Sequence, residues 1–355
     1  MEINVKQLFE KTVDAKASDL HLTVGLPPML RVSSVLKPMV GYAPLSSDNI
    51  EKVLTQLLDE KQLELFHKNK EFDFSFSLGE RSRFRSNAFY QKGYVSLAFR
   101  SIPFNIPTID SLNLPSILTE FAKLPRGFVL VTGATGHGKS TTLAAMIDFI
   151  NKNRAIHIIT VEDPIEYVFE NDKSIIQQRE MNHDTLSWKN ALKSVLREDP
   201  NVVLVGEMRD YETISSAVTI AETGHLVFST LHTNTAAQSI NRLIDVFPET
   251  EQAQVRSQLA DTLEGIISQR LIPSIDGGVV PAVEILLANN AVRNSVREGK
   301  THLIDNIIAT NLESGMISLE RSLADLVNQG KISLDTALSQ TLKPNEVKRL
   351  VKRNA

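Results

Sequence analysis

The sequence predicts an α/β protein: a small α+β unit, a larger unit built on a parallel sheet, and a closing run of short helices. Three observations carry this expectation. Between residues 116 and 288 the near-continuous apolar runs GFVLVTG, IHIITVE, NVVLVGE and HLVFSTLH alternate with helix-like segments, as strands buried on both faces alternate with crossover helices. Earlier, EFDFSFSL alternates apolar and polar residues and puts Phe72, Phe74 and Phe76 on one side, the habit of a half-buried antiparallel strand. The chain also has 355 residues, more than one core usually serves.

In chain order, VKQLFEKTVDA has helical spacing, and DLHLTV and MLRVSSVL are short strand candidates flanking Pro27 and Pro28. SSDNIEKVLTQLL opens with hydroxyl and Asp caps and continues as a helix. EFDFSFSL, SRFRSNAFYQ and GYVSLAFRSI complete the first unit as strands, so it spans residues 1–102. PFNIPTIDSLNLP, residues 103–115, is proline-punctuated and reads as a linker. Residues 116–288 hold the parallel sheet. NAVRNSVREG, THLIDNIIATN and SLERSLADLVNQG make residues 289–355 a C-terminal helical region.

Composition narrows the functions. Apolar residues make up 42% and charged residues 23%, ordinary for a globular chain. A net charge of -4 supplies no general attraction for DNA or acidic membranes. Aromatic residues, at 6%, sit at core positions rather than in a basic stripe, which argues against a nucleic-acid motor. The absence of cysteine excludes disulfides, Cys-based zinc sites and thiol catalysis. MEINVKQLFEKTVDAKASDLHL is amphipathic and mixed in charge, unlike a signal peptide. No uninterrupted apolar run is long enough for a transmembrane segment, so membrane association is expected through a partner.

GATGHGKSTT runs from Gly133 to Thr142, between GFVLVTG and LAAMIDFI. Its first eight residues match G-x-x-x-x-G-K-[ST] with a strand before and a helix after, the loop that cradles nucleoside triphosphates. The pattern arises by chance in a chain this long about once in a hundred, so a ligand-free glycine turn is the weaker reading. Gly133, Gly136 and Gly138 let the backbone take positive φ and turn its N–H groups inward, with Ala134, Thr135 and His137 contributing mainly main chain. Lys139 offers a charge to the β and γ phosphates. Ser140 offers a hydroxyl to Mg2+, and Thr141 follows it at the electropositive helix start. ATP and Mg2+ are the expected cofactors.

Ligands of an open parallel sheet sit beyond the carboxyl ends of its strands. There IHIITVEDPIE places Glu162 and Asp163, and NVVLVGEMRD places Glu207, with Arg209 and Asp210 following. One strand-end acid more often caps a helix, but two beside a P-loop point to hydrolysis. HLVFSTLH begins after the turn with His225 and ends at His232; by themselves these would be ordinary histidines.

Together the segments resemble the secretion-ATPase superfamily, and within it the PilT-type retraction ATPases of type IV pili, over essentially the whole chain. GATGHGKST is similar to the family's Walker A box and TVEDPIEY to its Asp box. VLVGEMRD is similar to its Walker B, with Gly206 in place of the usual first Asp, and ETGHLVFSTLHTN to its His box. ASDLHLTVGLPPMLR resembles the N-terminal signature and AVRNSVREGK the C-terminal box. The resemblance implies a PAS-like N-terminal domain, a RecA-like core and a homo-hexameric ring binding nucleotide between the two domains. It implies that Glu162 activates the attacking water, that Glu207 acts through Mg2+ or its waters, and that His232 senses the γ-phosphate. Asp163 and His225 are expected near the nucleotide. Both glutamates are placed to reach water, and Glu162 is preferred as the main base. A cytoplasmic motor is implied, peripheral to the inner membrane, that works on pilin through an inner-membrane platform protein.

That geometry gives RSRFRSNAF a purpose. Arg81, Arg83 and Arg85 have i, i+2, i+4 spacing and are expected on one strand face, where like charges repel unless an anion or acid lies opposite. A solvated edge is the plain alternative; contact with a triphosphate is preferred. Arg100 stands alone and is a weaker candidate. Two positions depart from the family: His137 where Ser is usual, and Ser295 where an apolar residue is usual, beside the retained Arg293, Arg297 and Glu298. Extension and secretion ATPases usually carry a tetracysteine zinc insert and a longer N-terminal region, which disfavours that reading. An accessory retraction paralogue and a slow nucleotide switch remain alternatives.

Overall fold

The computed structural model describes residues 4–32, 35–79, 81–102 and 105–353. Residues 103 and 104, which open the predicted linker, lie outside the described residues. The chain divides into two compact units: Met1–Asn105 with Glu166–Val168, and Ile106–Ile165 with Phe169–Ala355.

The first unit contains α1 (Val5–Asp14), β1 (Asp19–Leu22), β2 (Met29–Val32), β3 (Val35–Pro38), α2 (Ser47–Leu57), α3 (Glu60–Asn69), β4 (Glu71–Leu78), β5 (Ser82–Gln91) and β6 (Tyr94–Ile102). Its sheet runs β3-β2-β1-β6-β5-β4 with every neighbouring pair antiparallel. Ser46 and Asp59 open α2 and α3 with reciprocal capping boxes to Asn49 and Gln62, each satisfying two otherwise orphaned N–H groups. The sequence reading did not include α3, although Asp59 and Gln62 carry its start signal. Phe72, Phe74 and Phe76 all face the core, as the alternation predicts. There Phe9 packs within 4.7 Å of Phe76, 4.7 Å of Phe84 and 4.9 Å of Phe99 between ring centres, tilted and edge-on arrangements that aromatic rings favour.

The second unit continues with α4 (Ile117–Lys123), β7 (Gly127–Thr132), α5 (Lys139–Asn153), β8 (His157–Glu162), β9 (Ile175–Glu180), α6 (Trp188–Val195), β10 (Val202–Val205), α7 (Tyr211–Glu222), β11 (Leu226–Leu231), α8 (Ala236–Asp245), α9 (Glu249–Thr262), β12 (Leu263–Pro273) and β13 (Val279–Leu287). Among the described residues five α-helices follow: α10 (Asn290–Arg297), α11 (Ile304–Thr310), α12 (Leu319–Asn328), α13 (Leu334–Ser339) and α14 (Pro344–Arg353). The sheet order is β13-β12-β7-β11-β10-β8-β9.

The expected parallel sheet is present in β12 through β9, but β13 runs antiparallel to β12 and forms one edge. Three strands were not anticipated. IIQQRE of β9, at the other edge, ends in four polar residues, and β12 and β13 form a hairpin across SIDGG, so neither shows the apolar strand–helix–strand pattern. Apolar clusters cover both sheet faces, Ile159 and Val161 belonging to one and Ile158, Val129 and Val131 to the other. Ile272, Val280, Leu323 and Val347 form a separate small core between the hairpin's far end and the C-terminal helices.

Candidate nucleotide and hydrolysis site

Between β7 and α5 the chain turns through Gly133, Gly136 and Gly138 at φ of 147°, 80° and 79°, a region that side chains other than glycine rarely enter. Gly133 is also fixed by space, since a Cβ there would lie 2.4 Å from the Gln269 carbonyl oxygen on β12. The loop winds around its own lysine: Lys139 is buried, and its Nζ donates to the carbonyls of Gly133 at 2.8 Å and Ala134 at 3.1 Å. Ser140 and Thr141 are half-buried on the first turn of α5. Thr142, one residue on, donates to Gln269 Oε1 at 2.7 Å. His137 is not a passive spacer, because its Nδ1 accepts the Leu271 N–H at 2.9 Å. Burial, and then the charges of Lys139 and Arg270, push this imidazole below its ordinary pKa, which keeps Nδ1 unprotonated and able to accept.

At the same end of the sheet, Glu162 closes β8 and is buried. Its Oε1 accepts the Thr160 hydroxyl at 2.6 Å and the Gln178 amide at 3.2 Å. Glu207 follows β10, where Oε1 lies 2.8 Å from His232 Nε2 and Oε2 lies 2.8 Å from Arg209. Burial alone would raise this carboxyl; the Arg209 hydrogen bond and the charges of His232, Arg209 and Lys139 outweigh it and hold the group below its usual value. Thr135 Oγ1 approaches His232 Nδ1 at 3.5 Å. Thr135, His232, Glu207 and Arg209 thus form a line from the P-loop across three strand ends. Gly206 keeps the two acid-bearing ends close, since a Cβ there would lie 3.2 Å from Glu162 Cα. Asp163 is exposed, and its charge acts on Arg209.

His225 is not brought to this site. It precedes β11 at the amino end of the sheet, with Nδ1 3.0 Å from the Ile220 carbonyl and 3.1 Å from the Thr223 hydroxyl. Six residues of extended strand separate it from His232, about 20 Å; it finishes α7 rather than facing the P-loop. Arg81 lies in the turn before β5, outside the expected strand face, and pairs with Asp14 at 2.7 Å. Arg83 is half-buried and donates to Ser75 at 2.7 Å. Arg85 is exposed and sits across from Arg100 in the β5–β6 register. Arg100 itself pairs with Asp19 at 3.1 Å. Arg81 and Arg100 thus each have an acidic partner among the described residues.

Sequence reasoning missed Thr160, Gln178 and Gln269, which hold Glu162 and the P-loop in place. IIQQRE, two apolar residues followed by four polar ones, gave no periodic signal for Gln178. No group of three or more His, Cys, Asp or Glu side chains suited to a metal occurs among the described residues. The donors here, the Ser140 hydroxyl and an ionised Glu207, suit Mg2+ that keeps its waters and takes most ligands from phosphate.

The profile of a family described as Type II/IV secretion system protein matches residues 102–344. The Pseudomonas aeruginosa protein named type IV pilus retractation ATPase PilT is 45% identical over 335 residues, covering 94% of this chain and 97% of that one. A Neisseria gonorrhoeae protein named twitching motility protein is 48% identical over 311 residues, covering 87% and 83%. The crystal structure titled as the pilus retraction motor PilT with bound ADP superposes with a TM-score of 0.91 at 44% identity, covering 98% of this chain and all of that one.

Proposed function

The chain belongs to the type II/IV secretion system protein family, and on that premise we propose that it is an ATPase motor that powers retraction of type IV pili. The observation that carries the proposal is the gathering of Lys139, Glu162, Glu207 and His232 at the carboxyl ends of β7, β8, β10 and β11. ATP lies with its phosphates along Gly133–Thr141, where main-chain N–H groups and Lys139 replace water around the charge. Lys139 exchanges its carbonyl partners for phosphate oxygens. Glu162, held by two donors on one oxygen, orients the attacking water and takes its proton. His232, bridging Thr135 and Glu207, reports whether the γ-phosphate is present. Ser140, and Glu207 through water, would hold Mg2+, which would supply charge neutralisation at the phosphates.

In this reading residues 1–102 form a PAS-like domain, 116–288 a RecA-like core and 289–355 a helical region, and six copies form the working ring. Arg83 and Arg85 contribute to nucleotide contacts in that ring. The partner is an inner-membrane platform protein, through which a cytoplasmic, peripheral motor withdraws pilin. Among the described residues no helix is long and apolar enough to cross a membrane.

Deletion in a piliated host tests the reading. Retraction predicts more surface pili with loss of twitching, restored by the intact gene but not by Lys139→Ala. Bald cells would indicate extension instead, and unchanged pili and motility would remove the motor assignment.

A further inference from the structure

The register of β8 against β9 pairs Thr160 with Gln178 and Glu162 with Glu180. Alternation along each strand puts all four side chains on one face, making a polar ladder between two neighbouring strands. Three of the four are buried: Thr160 at 0%, Glu162 at 8% and Glu180 at 3% exposure. Such groups are costly unless satisfied. The segment after Glu162 folds back over the same face, and its main chain meets the ladder. Gln178 Oε1 accepts the Phe169 N–H at 2.9 Å, and Glu180 Oε2 accepts the Ile165 N–H at 3.2 Å. A main-chain N–H can only donate, so the Phe169 bond fixes which end of the Gln178 amide is oxygen. Nε2 then faces Glu162 Oε1, the oxygen that Thr160 also donates to.

We infer that Gln178 is a positioning residue that aims the Glu162 carboxylate at its water, with its own amide oriented by the Phe169 N–H. The inference rests on the reading of Glu162 as the base. The chemistry requires a donor that is never charged and never an acid. Thr160 and Gln178 bind the carboxylate by the same oxygen from two strands, which sets the rotation of the group about its last bond. Glutamine does this without competing for the proton that Glu162 must take, as a second carboxylate would.

The test uses the full chain, with MgATP turnover measured across pH for wild type, Gln178→Glu, Gln178→Met and Glu162→Gln. Gln178→Glu keeps an oxygen for the Phe169 N–H but sets a second carboxylate against Glu162, beside Glu180 on the same face. The pair retains a proton to higher pH, so the rising limb of kcat is expected to move up by about one unit. At neutral pH kcat falls about tenfold, with KM for MgATP within about twofold of wild type. Gln178→Met loses the donor and is expected to lower kcat similarly without moving the limb upward. Wild-type kcat and a wild-type limb in Gln178→Glu, with Glu162→Gln inactive, overturn the inference while leaving the base in place. Full turnover in Glu162→Gln sinks the reading of Glu162, and the inference with it. If Gln178→Glu does not fold, Gln178→Met decides: wild-type kcat there overturns the inference, and reduced kcat with unchanged KM supports it.

Discussion

His137 brings an imidazole into a loop that otherwise works through main-chain amides, and its ring ties the loop to β12 through the Leu271 N–H. The tie needs a neutral ring, so it carries a pH signature. The folded pKa lies below the ordinary 6.5, which means the unfolded chain binds this proton more readily than the native one. The stability so linked is complete above about 6.5 and drains away as pH falls towards the folded value. Thermal midpoints measured from pH 5 to 8 should therefore drop more steeply on acidification for wild type than for His137→Ser, which has no proton to take up. Parallel curves would mean that the ring contributes no such linkage. Residue chemistry of this kind was only half legible in the sequence. The P-loop residues are contiguous, so their spacing alone marked the candidate phosphate site. Glu162 and Glu207 showed themselves as acids ending apolar runs. His225 did not, because a histidine at the start of a strand and one at its end look alike in a motif but lie at opposite ends of a sheet. Gln269 and Leu271, more than a hundred positions from the loop they brace, left no local trace.

At the level of elements, strands with unbroken apolar runs were readable, whereas the edge strands β9 and β13 and the interior β12, whose run Glu264, Ser268, Gln269 and Arg270 interrupt, were not. β9 ends in the polar run Gln177, Gln178, Arg179 and Glu180, one face of which meets a returning loop rather than a helix, and β13 turns antiparallel at the opposite edge. β13 also delivers a buried acid to another element's start: Glu284 Oε1 accepts the Ala236 N–H at 2.7 Å where α8 begins. Helix starts favour a negative group, yet burial dominates here. Together with the neighbouring Asp305 and Glu320 charges it lifts the carboxyl to about 7, against the Ala236 bond and Lys343. Between the unfolded 4.5 and the folded value near 7 the native chain holds the extra proton, so stability is fullest below 4.5 and is lost as pH rises towards 7. Glu284→Gln keeps an acceptor for Ala236 but cannot ionise. Its thermal midpoint is expected to gain on wild type as pH climbs from 5 to 8. A constant difference across that range would mean that Glu284 is not the titrating group. Because α8 follows directly on the segment carrying His232, comparing MgATP affinity in the same variant shows whether the helix start affects the nucleotide end.

The whole molecule sets a different kind of test, because the proposed motor is a ring and one chain is only a sixth of it. Nothing in a single P-loop requires neighbours: Lys139, Glu162 and the Glu207–His232 pair all lie in one chain. If copies worked independently, adding an inactive chain would dilute turnover in simple proportion. In a closed ring whose members share one heterologous interface, each copy's step is passed to the next, so an inactive member stalls more than itself. Lys139→Ala removes the charge proposed to meet the phosphates but leaves every other residue of the chain unchanged, which suits it as the inactive member. Wild type and Lys139→Ala, mixed in equal amounts and allowed to exchange subunits, should hydrolyse MgATP at well under half the rate of wild type alone. Light scattering on the same sample should show a single assembled species. Turnover at half, with that species present, would mean that the ring's members do not depend on one another for hydrolysis. Turnover at half without assembly would leave the nucleotide site intact and remove the ring.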